Sequence, residues 1–135
     1  MSLDSLARTA YTEDHEAFRQ TVRRFMQEEV APHGAQWAEN GIVPKSIWPK
    51  AGELGLLCPT VPEEYGGLGL GCSEYCLVTE ELSRGWMSVA SIIARGNLLI
   101  GSHEMSEEQR KRYLPRMAKG EFLGAFSMSE PNAGS

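Results

Sequence analysis

The chain has 135 residues, enough for one domain with a buried core. Apolar residues make up 41% and charged residues 23%, which excludes a disordered tail, a collagen-like repeat and a coiled-coil rod. The net charge is −5 and the basic residues are scattered, so there is no electrostatic footprint for nucleic acid.

The start, Met1-Ser2-Leu3-Asp4, lacks the basic and apolar regions of a signal peptide. Thr12 then suits a helix N-cap, with Glu13, Asp14 and Glu16 enriching the first turn in acid. Phe18, Val22, Phe25, Met26 and Val30 follow at helical spacing. Pro32 ends or kinks this helix. Residues 37–42 read as a loop or a short extra turn, with Asn40-Gly41 as the turn signal. Pro44 opens a second helix whose apolar face is Ile47, Trp48, Ala51 and Leu54, and Gly55 closes it. The prolines at 59 and 62 favour extended backbone.

Four glycines between Gly66 and Gly71 invite a phosphate-cradle reading. Their spacing is not G-x-G-x-x-G, and no Lys-Ser/Thr follows, so a structural turn is the expectation. Ser73 is read as the cap of a third helix through Tyr75, Val78 and Leu82 to Gly85. A fourth starts at Ser88 with Val89, Ile92, Ile93, Leu98 and Leu99; its apolar character predicts a central, buried position, with Arg95 as the exception. Ser106 and Gln109 form a capping-box pattern for a fifth helix with Tyr113, Leu114 and Met117, stopped by Gly120. Residues 122–129 lose the helical stripe and read as a strand. The predicted class is therefore all-α: an antiparallel bundle of about five helices over 12–121, followed at 122–135 by the first strand of a β-domain.

The longest apolar stretch, 89–94, is far short of the ~20 residues that a membrane span needs. Cys58, Cys72 and Cys76 include no C-x-x-C; the four-residue spacing of Cys72 and Cys76 suits buried thiols better than a disulfide framework, in a reducing compartment. His15, His33 and His103 have no metal-ligand spacing, and nothing marks a nucleophile with a paired base. The glutamates at 28, 29, 80, 81, 107 and 108 fall on amphipathic helices and read as solvated faces. The end, Ser129-Glu130-Pro131-Asn132-Ala133-Gly134-Ser135, offers hydroxyls, small residues and free backbone N–H groups. Such a segment is either a Pro-Asn surface turn or a loop able to approach a flavin ring or a pyrophosphate closely.

Several motifs occur together in a fixed order: Glu28-Glu29-Val30-Ala31-Pro32, Gly52-Glu53-Leu54-Gly55-Leu56, Pro62-Glu63-Glu64-Tyr65-Gly66-Gly67-Leu68-Gly69-Leu70, Glu80-Glu81-Leu82-Ser83, Glu107-Glu108-Gln109-Arg110 with Tyr113-Leu114-Pro115, and the terminal Ser-Glu-Pro-Asn-Ala-Gly-Ser. In these the chain resembles the N-terminal part of the acyl-CoA dehydrogenase family, over 12–135. The resemblance implies FAD as cofactor, a fatty acyl-CoA thioester as substrate, and oxidation to the trans-2-enoyl-CoA by α-proton abstraction and β-hydride transfer to flavin. It implies flavin contacts at Phe126, Met128, Ser129, Gly134 and Ser135, with Ser135 also reaching substrate. Asn132 stands where the family commonly has Gly, and Asn tolerates left-handed backbone.

By the same resemblance the acyl cavity is lined by Ser91, Ile92, Arg95 and Leu99. Arg95 pairs with a carboxylate such as Glu80 or Glu81 or one outside the chain, caps a short pocket, or binds a carboxylate-bearing acyl tail. The family's catalytic carboxylate lies in a C-terminal bundle, so no catalytic residue is assigned and this chain by itself is expected to be inactive. The expected partners are acyl-CoA, an electron-transferring flavoprotein and further copies of the full-length chain, as a tetramer or dimer. A bacterial cytoplasmic location is expected ahead of the mitochondrial matrix, for want of a transit peptide. The chain ends inside the flavin motif, so it is expected to be part of a longer protein. An acyl-CoA oxidase or flavin monooxygenase of the same fold is the alternative chemistry, and a stand-alone helical interaction module is the non-enzyme alternative.

Overall fold

The structure, a computed structural model, describes residues 11–96, 104–125 and 132, with the side chains of 94–96 excepted. Its described part is all-α, with six helices: α1 (Glu13–Phe25), α2 (Gly34–Asn40), α3 (Ile47–Glu53), α4 (Cys72–Gly85), α5 (Met87–Gly96) and α6 (Glu107–Ala118).

Thr12 caps α1 in a reciprocal box with His15. The His15 N–H donates to Thr12 Oγ1 at 3.4 Å, and the Thr12 N–H donates to His15 Nδ1 at 3.1 Å. At the other end α1 widens into a π-helical turn, Met26–Val30, closed by the Ala31 N–H on the Met26 carbonyl at 2.8 Å. Pro32 is the cause: a regular helix would drive its ring into the carbonyl four residues earlier, and a wider turn relieves the clash. The short extra turn expected at 37–42 is a full helix, α2, displaced to Gly34–Asn40.

Pro44 does not open α3. Residues 44–46 form a turn, and the helix begins at Ile47. Ile47, Trp48 and Ala51 are buried as expected, but Leu54, one residue past the helix end, is 40% exposed. The N-cap of α4 is Gly71, not Ser73; the Glu74 carboxylate accepts the Gly71 N–H at 3.0 Å. Ser106 and Gln109 form the expected box on α6. Gly120 closes that helix in a Schellman motif, with φ +72°, its N–H on Met117 O at 3.0 Å and the Glu121 N–H on Arg116 O at 3.0 Å.

Two cores result. The larger joins α1, the π-turn, α3, α4 and α5 through Val22, Phe25, Val30, Trp48, Leu77, Leu82 and Val89, among others. The smaller packs Leu114, Met117 and Ala118 of α6 against Cys58, Val61 and Tyr65. The bundle is not antiparallel throughout. Along α1 and α4, His15 meets Glu74, Arg19 meets Glu81, and the Met26 side chain lies over Gly85, so these two helices run in the same direction. The long excursion over 26–71 permits this; only short connections force antiparallel neighbours.

The helix α5 is not central. Val89, Ala90 and Ile93 are buried against the rest, Ile92 is partly buried at the core's edge, Ser91 is partly exposed, and Met87 and Ser88 are exposed. Residues 122–125 hold no regular element, and the remainder of the expected strand, 126–129, lies outside the described residues. Among the described residues no helix is long and apolar enough to cross a membrane.

Candidate functional site

The acyl-cavity residues divide. Ser91 is partly exposed on the outer face of α5, and Ile92 borders that face, partly buried against the larger core. Arg95 follows them by four and three residues within α5, so the helical period puts its backbone position on that same side. The Arg95 side chain lies outside the description, as do Leu99 and all five flavin residues, Phe126, Met128, Ser129, Gly134 and Ser135. Of the terminal motif, Asn132 is described, in an exposed turn.

The glycine loop can be tested directly. Its amides are already spent: Gly66 N–H on Glu63 O (2.9 Å), Gly67 N–H on Pro62 O (3.3 Å), Gly69 N–H on Val61 O (2.8 Å) and Leu70 N–H on Pro59 O (2.9 Å). A Cβ on Gly67 would lie 2.6 Å from the Val61 carbonyl carbon and closer still to its oxygen. The loop is thus wound on the 59–62 segment and has no ring of free donors for a phosphate. The structural reading of these glycines holds.

Sequence reasoning missed a buried charge cluster between α1 and α4. Arg19 and Glu81 are each 3% exposed. Arg19 Nη1 donates to Glu81 Oε1 at 2.8 Å, and its Nε donates to Glu16 Oε2 at 3.0 Å. Arg23 adds two bonds to the same carboxylate, from Nε at 2.7 Å and from Nη2 at 3.1 Å. Arg19 Nη2 is buried without a hydrogen-bond partner, and the guanidinium carbon lies 5.0 Å from the Tyr11 ring centroid. Glu81 is therefore not part of a solvated face. The signal was available: Arg19 falls three before Val22 and seven before Met26, and Glu81 falls four after Leu77 and three after Val78, all on core stripes. At the helix starts, His15 Nε2 comes within 2.9 Å of Glu74 Oε1 without forming an aligned hydrogen bond.

A second polar contact ties α6 down. The Tyr65 hydroxyl donates to Glu107 Oε2 at 2.8 Å, and Lys111 Nζ lies 3.0 Å from Glu107 Oε1. The shared hydrogen bond holds the Glu107 carboxyl below its usual range and pushes the Tyr65 hydroxyl above its own. Glu107 lies on a solvated face as expected, and makes this bond from there.

Two surface clefts stand out. One, of about 350 Å³, lies between α1 and α3 and is lined by Arg24, Glu28, Glu29, Lys50 and Glu53 among others. The other, of about 300 Å³, is lined by Trp37, Ile42, Val43, Trp86 and Ser88, with the two indole rings 5.9 Å apart. Neither includes Ser91 or Ile92. Among the described residues no group of three or more His, Cys, Asp or Glu is placed to hold a metal ion. None of the three cysteines is in a disulfide; Cys58 is buried, but Cys72 and Cys76, expected to be buried, are exposed.

Comparison with known proteins supplies the frame for these positions. The family model for "Acyl-CoA dehydrogenase, N-terminal domain" matches residues 12–121. The mitochondrial isovaleryl-CoA dehydrogenase of Solanum tuberosum is 42% identical over 130 residues, covering 93% of this chain and 32% of the relative. The crystal structure of acyl-CoA dehydrogenase from Geobacillus kaustophilus superposes with a TM-score of 0.85 at 36% identity, over 96% of this chain and 34% of that one. A glutaryl-CoA dehydrogenase from Mycobacterium smegmatis, in complex with FADH2, gives 0.84 at 29% identity, over 93% and 33%. The chain spans about a third of the length of the proteins it matches.

Proposed function

Because the chain belongs to the acyl-CoA dehydrogenase family, we propose that it is the N-terminal helical part of an FAD-dependent enzyme that oxidises an acyl-CoA thioester to the trans-2-enoyl-CoA. The outer face of α5 carries this reading: Val89, Ala90 and Ile93 fill the core while Met87 and Ser88 are exposed and Ser91 is partly so, leaving one helix face, bordered by Ile92, to line an acyl chain. The 12–121 unit is the helical domain, and 122–135 begins the β-domain. Backbone N–H groups of Met128 and Ser129, the Ser129 hydroxyl, the Phe126 ring, Gly134 and Ser135 hold the flavin, and Ser135 also contacts the thioester arm. That segment suits the task chemically, since small residues and hydroxyls let a planar ring and a pyrophosphate come close to backbone donors. Bound FAD supplies the hydride acceptor. This chain contributes binding and positioning; the carboxylate base belongs to the rest of the protein. An electron-transferring flavoprotein takes the electrons, and the full-length protein assembles from several copies in a reducing, cytoplasm-like compartment.

The test is optical. Purified full-length protein should be yellow and should bleach when an acyl-CoA is added under nitrogen. A colourless protein that cannot be reconstituted with FAD overturns the proposal, and rapid reoxidation of the bleached flavin in air assigns it instead to the oxidases or monooxygenases.

For Arg95 the reading is a bidentate contact to a carboxylate at the far end of the acyl tail. Two observations favour it. Glu81, one candidate partner, already accepts three hydrogen bonds from Arg19 and Arg23. One similar structure is named for glutaryl-CoA, a thioester with a free carboxylate. Arg95→Ala in the full-length enzyme should abolish activity on dicarboxylyl-CoA thioesters and spare plain ones. Equal loss on both, or no dicarboxylyl activity in the unaltered enzyme, refutes the assignment.

A further inference from the structure

Cys72 and Cys76 occupy the first and fifth positions of α4, one helical turn apart. Both thiols are free and exposed, and their sulfurs lie 3.9 Å apart in S–H···S contact. We propose that they are a modification site: a surface dithiol that a low-molecular-weight disulfide such as oxidised glutathione converts reversibly to an intrahelical disulfide. The thiolate of Cys72 attacks one sulfur of the small disulfide, forming a mixed disulfide and releasing the first small thiol. Cys76, deprotonated in turn, attacks the Cys72 sulfur, forming the Cys72–Cys76 bond and releasing the second small thiol. Two protein thiols are oxidised, one small disulfide is reduced to two thiols, and the two protein protons end on the released thiols. The hydrogen bond with Cys72 raises the Cys76 thiol above its usual value, consistent with Cys76 being the second sulfur to react.

The local architecture lets the bond form and gives it a consequence. An S–S bond is about 2.05 Å, so the sulfurs must close by about 1.9 Å. Side chains four apart on a regular helix have Cβ atoms about 5–6 Å apart, against about 3.8 Å in a disulfide, so the first turn of α4 must open. That turn is built to yield. It follows the glycine-rich loop, its N-cap is Gly71 with no side chain of its own, and the cap is held by the Glu74 carboxylate. Opening the turn withdraws Glu74 from both Gly71 and His15, which lies in the first turn of α1. Oxidation therefore loosens the joint where α1 and α4 begin, while the Arg19–Glu81 pair further along stays in place.

The experiment treats the reduced full-length protein with oxidised glutathione, quenches with an alkylating reagent and maps the peptide spanning 72–76. The expected product is a peptide that has lost two alkylatable thiols, carries no glutathione, and regains both thiols with dithiothreitol. Cys72→Ser and Cys76→Ser should each leave the other cysteine holding a stable glutathione adduct, and Cys58→Ser should leave the pattern unchanged. The conservative serines at exposed positions leave the fold intact, which circular dichroism checks. Glutathione retained on both sulfurs of the unaltered protein, or no reaction at either under conditions that modify a free model thiol, overturns the proposal.

Discussion

The two joints of the helical body hold by opposite means. Between α1 and α4 the closure is a buried carboxylate, Glu81, gripped by Arg19 and Arg23. Between α6 and the 58–70 segment it is shape: Leu114, Met117 and Ala118 pack on Cys58, Val61 and Tyr65, a Cβ on Gly66 would lie 3.2 Å from Pro115 Cα, and Gly67 winds the segment tightly on the Val61 carbonyl, with the Tyr65–Glu107 hydrogen bond at the edge. Buried charge is unforgiving because removing one partner leaves the other desolvated. Shape is unforgiving because a packed backbone has no room to give. An edge hydrogen bond is forgiving because water replaces it. The difference orders the sensitivity of the molecule to single changes.

Glu81→Gln should have the largest effect. It leaves two guanidinium groups facing a neutral amide, one of them 4% exposed, and removing one member of a buried pair costs about 3–5 kcal/mol. Urea denaturation followed by the fluorescence of Trp37, Trp48 and Trp86 should show the loss. Replacing Arg19 with Met and Glu81 with Leu together should recover most of it, since an apolar pair of similar volume removes the stranded charge. A double variant as unstable as the single one would break the contrast between the joints. Gly67→Ala should come second. Its Cβ meets main chain rather than a pliable side chain, so the loop must shift, at about 1–3 kcal/mol typical of overpacking. A cost equal to that of Glu81→Gln would place shape level with buried charge.

The same contrast marks what could be read from the sequence. Local chemistry was legible: the Thr12 and Ser106 caps, the Gly120 stop and the structural role of the glycine loop each follow from a few neighbouring residues. The Arg19–Glu81 pair was legible only in its halves: each charge falls on a core stripe, but nothing local joins residues 62 apart. The direction of α4 beside α1 was likewise illegible, since the long excursion between them permits either. Cys72 and Cys76 were misjudged for a related reason: the four-residue spacing fixes that they share a face, but only packing decides that the face is outside. Ser91 and Ile92 were placed on a cavity by resemblance, and the structure adds that Ser91 is partly exposed while Ile92 packs at the edge of the larger core.

Tyr65→Phe should be the mildest of the three changes, and pH makes it diagnostic. Glu107 has its pKa lowered in the folded protein from an ordinary 4.5, chiefly by the Tyr65 hydrogen bond and then by Lys111. A lowered carboxyl pKa contributes stability that is present above 4.5 and is lost as pH falls through the folded value. Tyr65 is raised from 10.0, chiefly by the same bond, so its contribution is present below 10.0 and is lost as pH rises through the folded value. The α6 joint should therefore loosen at both ends of the pH range, and amide exchange in residues 107–118 should report it. Tyr65→Phe should remove the hydroxyl's share of the alkaline loss and reduce the acid one; the Lys111–Glu107 contact remains, and it still favours the Glu107 carboxylate at low pH and the Lys111 ammonium at high pH. The α1–α4 joint supplies the internal reference, since Tyr65→Phe leaves every contact of Glu81 in place. Equal acceleration of exchange in both joints would mean that the edge bond is wired into the whole body, and the division into two independently held joints would fail.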